Sequence, residues 1–195
     1  MNWLPMRKNK VAAFWDWFVT NKAVYHKLDD KNSDKRLNQL QKKLQKVNQH
    51  LTFELSDLSE DAKRELVISA DGMIEAFDDV IELVEQAPEL DAFKVIAFRQ
   101  QQTEEVSIDY GDIELSWHDM FYTVEKQESR DDFNLTLYVK GFTKENEDEF
   151  VSASFILLDT VIGEYNAGMC IGEIEFASYE RQPNLLPIKE LQSLF

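Results

Sequence analysis

The spacing of apolar residues changes near residue 51, and this change limits the possible folds more than any other feature of the chain. Before it, apolar side chains recur every three or four residues, as on one face of an α-helix. After it, short segments alternate apolar and polar residues, as in half-buried β-strands. The sequence therefore predicts an α+β protein, with an N-terminal αα-hairpin followed by a mostly antiparallel mixed sheet packed by two helices.

The hairpin is predicted as two helices, residues 8–27 and 34–50, joined by a short turn at 29–33. The apolar positions of the first helix are Val11, Phe14, Trp15, Phe18 and Tyr25. Those of the second are Leu37, Leu40, Leu44, Val47 and Leu51. We expect these two faces to pack against each other or against the rest of the chain.

The rest of the chain is predicted to contain strands and three helices. Strands are expected at 51–55, 65–69, 93–98, 121–126, 132–141 and 171–178, with a hairpin over 106–115. Helices are expected at 73–86, 147–166 and 187–194. The segment 133–140 alternates most regularly, which predicts a strand with one solvent-facing side. The helix over 147–166 is apolar nearly all round, which predicts that it lies in the core.

Charge is distributed very unevenly along the chain. The first fifty residues contain eleven Lys and Arg and four Asp and Glu. The remaining residues contain ten Lys and Arg and thirty-three Asp and Glu, and the net charge of the whole chain is −16. We therefore predict two segments, a basic helical hairpin over 1–50 that packs on the body and an acidic α+β body over 51–195. The negative field of the body argues against nucleic acid as a partner.

Composition also bears on compartment and cofactors. The single cysteine, Cys170, excludes an internal disulfide and a multi-cysteine zinc site, and it fits the reducing cytoplasm. No apolar run approaches the roughly 20 residues of a membrane span, so no membrane partner is expected. Asp16 interrupts the apolar stretch that follows the basic start, which favours a helix over a signal peptide. No cofactor motif and no metal-ligand spacing is found.

Four residues are candidates for a binding or active site. Asp159 has apolar neighbours one turn away in its predicted helix, and such carboxyls often serve function. Glu164 follows about one turn later. His118 stands between Trp117 and Asp119, in an order that a histidine–carboxylate pair could use. Asp71 lies in the turn after a predicted strand. No residue is assigned as catalytic.

The chain resembles a family of uncharacterised bacterial proteins of about this size. The segments that carry the resemblance are Phe14-Trp15-Asp16-Trp17-Phe18, Ile68-Ser69-Ala70-Asp71-Gly72, Leu158-Asp159 and Gly163-Glu164-Tyr165. The resemblance implies a bacterial cytosolic α+β domain and brings no catalytic residue with it.

Three functions remain open at this point. The first is a non-enzymatic protein-interaction domain, immunity- or adaptor-like, that binds a basic partner through its acidic surface. The second is a small-ligand enzyme or hydrolase that uses carboxylates near Asp159 and Glu164. The third is RNA binding by the basic hairpin. The aromatic N-terminal helix also fits a homodimer seam through Trp3, Phe14, Trp15, Trp17 and Phe18.

Overall fold

The computed structural model describes residues 4–28, 33–127, 132–180 and 182–195. The chain forms two compact units, Met1–Phe98 and Arg99–Phe195. Helices and mixed sheets are both present, which confirms the α+β class. The boundary expected at residue 50 falls inside the first unit, which therefore contains the basic hairpin together with part of the acidic sequence.

The first unit begins with the predicted pair of helices. Its elements are α1 (Leu4–His26), α2 (Ser33–Leu44), β1 (Thr52–Leu55), β2 (Arg64–Ser69), α3 (Phe77–Glu85) and β3 (Phe93–Ala97). In the sheet, β2 lies in the centre, antiparallel to β1 and parallel to β3. Helix α2 ends earlier than predicted because the Val47 N–H donates to the Leu44 carbonyl, which tightens the last turn. Most of the expected turn, residues 29–32, lies outside the described residues.

The hairpin packs on the strands of its own unit through its apolar side. The predicted apolar face of α1 is confirmed, since its five members are buried in one cluster with residues of β2, α3 and β3. Phe18, for example, meets Phe93 edge to face with ring centroids 5.3 Å apart. Three of the aromatic residues suggested for a dimer seam, Phe14, Trp15 and Phe18, are thus used in the core.

Two buried side chains satisfy carbonyl groups at helix ends. The last carbonyls of a helix have no partner inside it. The indole Nε1–H of Trp15 donates to the Leu83 carbonyl near the end of α3, over 2.8 Å. The guanidinium Nε–H of Arg64 donates to the His26 carbonyl, the last of α1, over 3.1 Å. A cation at this end also meets the negative end of the helix dipole.

A buried phenol predicts how stability depends on pH. Burial raises the pKa of Tyr25 above its ordinary value, and the charge of Arg36 opposes this in part. The unfolded chain therefore loses this proton first, so the contribution of Tyr25 is complete below about pH 10 and declines as pH rises further. We expect Tyr25→Phe to become more stable relative to wild type between pH 9 and 11, as followed by urea unfolding. Stability curves of the variant and the wild type that stay parallel over that range would contradict this.

The second unit contains the remaining strands in two sheets. Its elements are β4 (Ser107–Tyr110), β5 (Ile113–Ser116), β6 (Met120–Gln127), β7 (Asp132–Val139), α4 (Glu147–Ile162), α5 (Glu164–Cys170), β8 (Ile171–Ser178) and β9 (Leu186–Pro187). The strands β4 and β5 form the predicted hairpin, and a four-stranded sheet has the order β8-β7-β6-β9. In that sheet β7 and β8 are parallel, whereas β6 is antiparallel to both β7 and β9. Helix α4 packs against the β4–β5 hairpin, and its Leu157, Leu158 and Val161 share one buried cluster with residues of β6 and β7.

The prediction of one helix over 147–166 is wrong. Gly163 separates α4 from α5 because its φ of +84° and ψ of 143° are not helical. Helix α4 is also less buried than its composition suggests. Phe155 and Ile156 are 44% and 42% exposed, since only one side of the helix faces the sheet.

One polar atom in this unit has an unusual environment. Ser154 is fully buried in α4, and among the described residues its hydroxyl has no hydrogen-bond partner. A buried hydroxyl that makes no hydrogen bond keeps its desolvation cost. We therefore expect Ser154→Ala to raise the free energy of unfolding by about 1 kcal/mol, measured in urea. The control is Ser152→Ala in the same helix, where the half-buried hydroxyl does donate a hydrogen bond, to the Asp148 carbonyl over 2.8 Å. A loss of stability in Ser154→Ala would show that the Ser154 hydroxyl is bonded in solution.

Candidate acidic binding face

The outer side of the four-stranded sheet carries a group of polar and acidic side chains. Leu135, Leu137 and Val139 of β7 point to the core, so the residues between them point outward. The strand register places Thr123, Thr136 and Glu175 in one row across β6, β7 and β8. In the next row Glu125 lies opposite Asn134. The solvent-facing side predicted for 133–140 is confirmed.

These rows enclose a depression of about 310 Å³ on the sheet. We call its polar lining the acidic face, which consists of Thr123, Glu125, Asn134, Thr136, Glu173 and Glu175. Its three carboxylates come from β6 and β8, and Asn134 and Thr136 lie between them on β7. The arrangement can accept several hydrogen bonds from a cationic group while its negative charge attracts that group.

A glycine in β8 allows the two strands to approach at one end of the acidic face. A Cβ atom at Gly172 would lie 2.8 Å from the Asn134 Oδ1 atom, which is closer than real Cβ contacts. Without that atom, Asn134 Oδ1 accepts a hydrogen bond of 3.0 Å from the Glu173 N–H. The bond spans an irregularity in the β7–β8 pairing. It holds the start of β8 beside β7, and Glu173 with it.

The other end of the sheet is aromatic and carries a lysine. Phe121 and Tyr179 stack with ring centroids 4.6 Å apart. The Lys140 ammonium lies 5.7 Å from the Phe121 ring centroid and 3.0 Å from Asp119 Oδ1. The Lys140 charge is therefore already compensated by the Asp119 carboxylate and by the nearby aromatic rings.

The structure places Asp159 differently from the sequence interpretation. It lies half-buried near the end of α4, and its neighbours Phe155 and Ile156 are exposed rather than part of the core. Ile162, on the other side of Asp159 in the chain, is fully buried, and the binding role suggested for Asp159 stays a prediction. Its backbone carbonyl accepts the Gly163 N–H over 2.8 Å, at the point where α4 ends.

Glu164 is the deeply buried carboxylate of this region, with 1% of its surface exposed. Its Oε2 atom accepts the Arg99 N–H over 3.2 Å, and its own N–H donates to the Arg99 carbonyl over 3.0 Å. The two bonds attach the segment that begins at Arg99 to the start of α5. This arrangement does not bring Glu164 into the depression on the acidic face.

His118 is not oriented by Asp119 as the sequence order suggested. The Asp119 carboxylate accepts the Ser116 N–H and the Lys140 ammonium, which occupies both of its oxygens. The His118 Nε2 atom lies 3.2 Å from the Trp117 Nε1 atom and 3.0 Å from Glu105 Oε1, and the side chain is mostly exposed. The predicted histidine–carboxylate pair within this turn is therefore wrong.

Asp71 belongs to the first unit and is exposed in the turn after β2. Its φ of +54° and that of Gly72, +77°, form the turn, and its N–H donates to the Ser69 hydroxyl over 2.9 Å. None of the four candidates lines the acidic face. The sequence signal that was missed is the alternation of Glu173 and Glu175 with apolar residues in β8.

Comparison with known proteins returns no matching family model and no significant match among curated proteins. Within the described ranges, no helix has the length and apolar character needed to cross a membrane. The same part of the chain contains no group of three or more His, Cys, Asp or Glu residues arranged to hold a metal ion.

Proposed function

We propose that this protein is a non-enzymatic interaction protein, immunity- or adaptor-like, whose acidic face binds a basic protein partner. The observation that carries the proposal is the depression in which Glu125, Glu173 and Glu175 are gathered. A single exposed carboxylate contributes little to binding, but several around one concave site act together on the same cation.

The charge of the surrounding unit supports this proposal. Residues 99–195 contain twenty acidic and seven basic side chains, a net charge of −13. A field of that sign accelerates the encounter with a cationic partner and repels nucleic acid. The reducing cytoplasm suggested by the single Cys170 is part of the same proposal. The carboxylate enzyme and RNA binding by the hairpin stay predictions.

Neutralising the acidic face tests the proposal directly. We expect a tagged protein at 50 mM salt to recover a protein partner that is released as salt rises, because screening weakens exposed charge pairs. The variant Glu125→Gln/Glu173→Gln/Glu175→Gln should reduce this recovery by about ten-fold or more, since three charged contacts at roughly 0.5–1 kcal/mol each are lost.

A second triple variant controls for net charge. Asp109→Asn/Asp112→Asn/Glu114→Gln removes the same three charges from exposed positions in the β4–β5 hairpin. It should keep the partner, because the site itself is intact. Recovery of no partner, or equal recovery by both triple variants, would contradict the proposal.

A further inference from the structure

One edge of the four-stranded sheet is a long strand that has no second neighbour among the described residues. In the part of the chain that the structure describes, β8 pairs only with β7, so its other edge presents backbone N–H and C=O groups along eight residues. Proteins commonly shorten, cover or interrupt such edges, because an exposed edge can pair with another strand.

The side chains on the two sides of β8 differ in chemistry. Glu173 and Glu175 lie on the acidic face. Phe176 lies on the α4 side, where it contacts Phe155 edge to face with ring centroids 5.7 Å apart. Phe155 still has 44% of its surface exposed. A strand added beside β8 would therefore meet carboxylates on one side and an aromatic surface on the other.

We propose that an extended segment of a partner protein, alternating Lys or Arg with apolar residues, adds to the β8 edge as a further strand. This inference rests on the proposed function and specifies how the basic partner binds. The backbone of the segment pairs with β8, its cations reach Glu173 and Glu175, and its apolar residues cover Phe155 and Phe176.

A second copy of this chain fits the edge poorly. Two β8 strands paired edge to edge would bring the glutamates of one copy beside those of the other. Like charges that face each other across paired strands are destabilising. The edge thus disfavours self-association and favours a segment of opposite charge.

A defined peptide tests this mode of binding. The probe is a peptide of about ten residues that alternates lysine with valine, long enough to cover an eight-residue strand. Its matched control carries the same side chains but a methyl group on each central backbone nitrogen, which removes the donors for strand pairing. We expect the control to bind the full-length protein roughly ten-fold more weakly or worse, because strand hydrogen bonds are lost while charge is kept.

Amide hydrogen exchange supplies the second readout. Binding of the unmethylated peptide should slow exchange in β8, and the Phe155→Ser variant should bind it more weakly than the Val19→Ser control, which alters an exposed apolar residue of the first unit. Equal affinity for the two peptides, with binding still lost in the triple glutamate variant, would overturn strand addition but leave the proposed function intact. If neither peptide binds, strand addition is overturned. The proposed function would then be tested by the pull-down experiment alone.

Discussion

Trp15→Ala is expected to lower the free energy of unfolding by about 3–5 kcal/mol. The ring is 4% exposed and packs edge to face with Phe14 and Phe18. The substitution therefore opens a large cavity in the core of the first unit. It also removes the hydrogen bond to the Leu83 carbonyl at the end of α3. A loss of this size is a large part of the roughly 5–15 kcal/mol that stabilises an ordinary domain, so the first unit should unfold at a markedly lower urea concentration than in the wild type.

Two further variants separate the contributions to this effect. Trp15→Phe keeps most of the packing but leaves the Leu83 carbonyl without its indole donor, so about 1–3 kcal/mol should be lost. Trp17→Ala removes a ring that is only partly buried and lies under the Lys43 ammonium, and it should cost less than Trp15→Ala. Urea unfolding followed by circular dichroism measures all three. Equal losses for Trp15→Ala and Trp17→Ala would contradict the deeper packing of Trp15.

Gly163→Ala is expected to destabilise the second unit by about 2–4 kcal/mol. The φ of +84° is strained for any residue with a Cβ atom. The added methyl group would also lie 3.3 Å from the Gln101 nitrogen and 3.4 Å from the Arg99 carbonyl oxygen. Those backbone atoms cannot easily move away from the methyl group. The Arg99 N–H donates to the Glu164 carboxylate, and the Gln102 N–H donates to the Thr160 carbonyl.

Gly111→Ala provides the matched control. Gly111 also has a positive φ, +61°, but a Cβ atom added there would meet no described atom within 4 Å. Only the backbone strain remains, so the cost should be about 1 kcal/mol. Amide exchange in β7 reports the stability of the second unit in both variants. If Gly163→Ala loses no more stability than Gly111→Ala, the segment at 99–102 must move to make room for the methyl group.

The strand pattern was predictable wherever it depended on neighbouring residues alone. The alternation at 133–140 correctly predicted β7 with one core side and one solvent side. The break at Gly163 was not predictable, because a glycine within an apolar helical pattern is compatible with either a continuous or a broken helix. The φ of +84° arises where residues 99–102 pass close to the end of α4.

The candidate site, like the fold, was predictable from the sequence only in part. Asp159 and Glu164 lie in apolar sequence, and periodicity did not reveal which of them faces the core. The acidic face combines β6, β7 and β8, and β8 reaches its parallel position beside β7 only after α4 and α5. No local pattern brings Glu125 together with Glu173 and Glu175.

Local periodicity and charge counts were thus sufficient for the α+β class, the helical pair, most strands and the acidity of the second unit, because these are properties of short stretches of chain. Strand pairing and helix packing were needed to bury Glu164, expose Phe155 and assemble the acidic face. Each of these depends on contacts between segments tens of residues apart, whose relative placement is a property of the packed core.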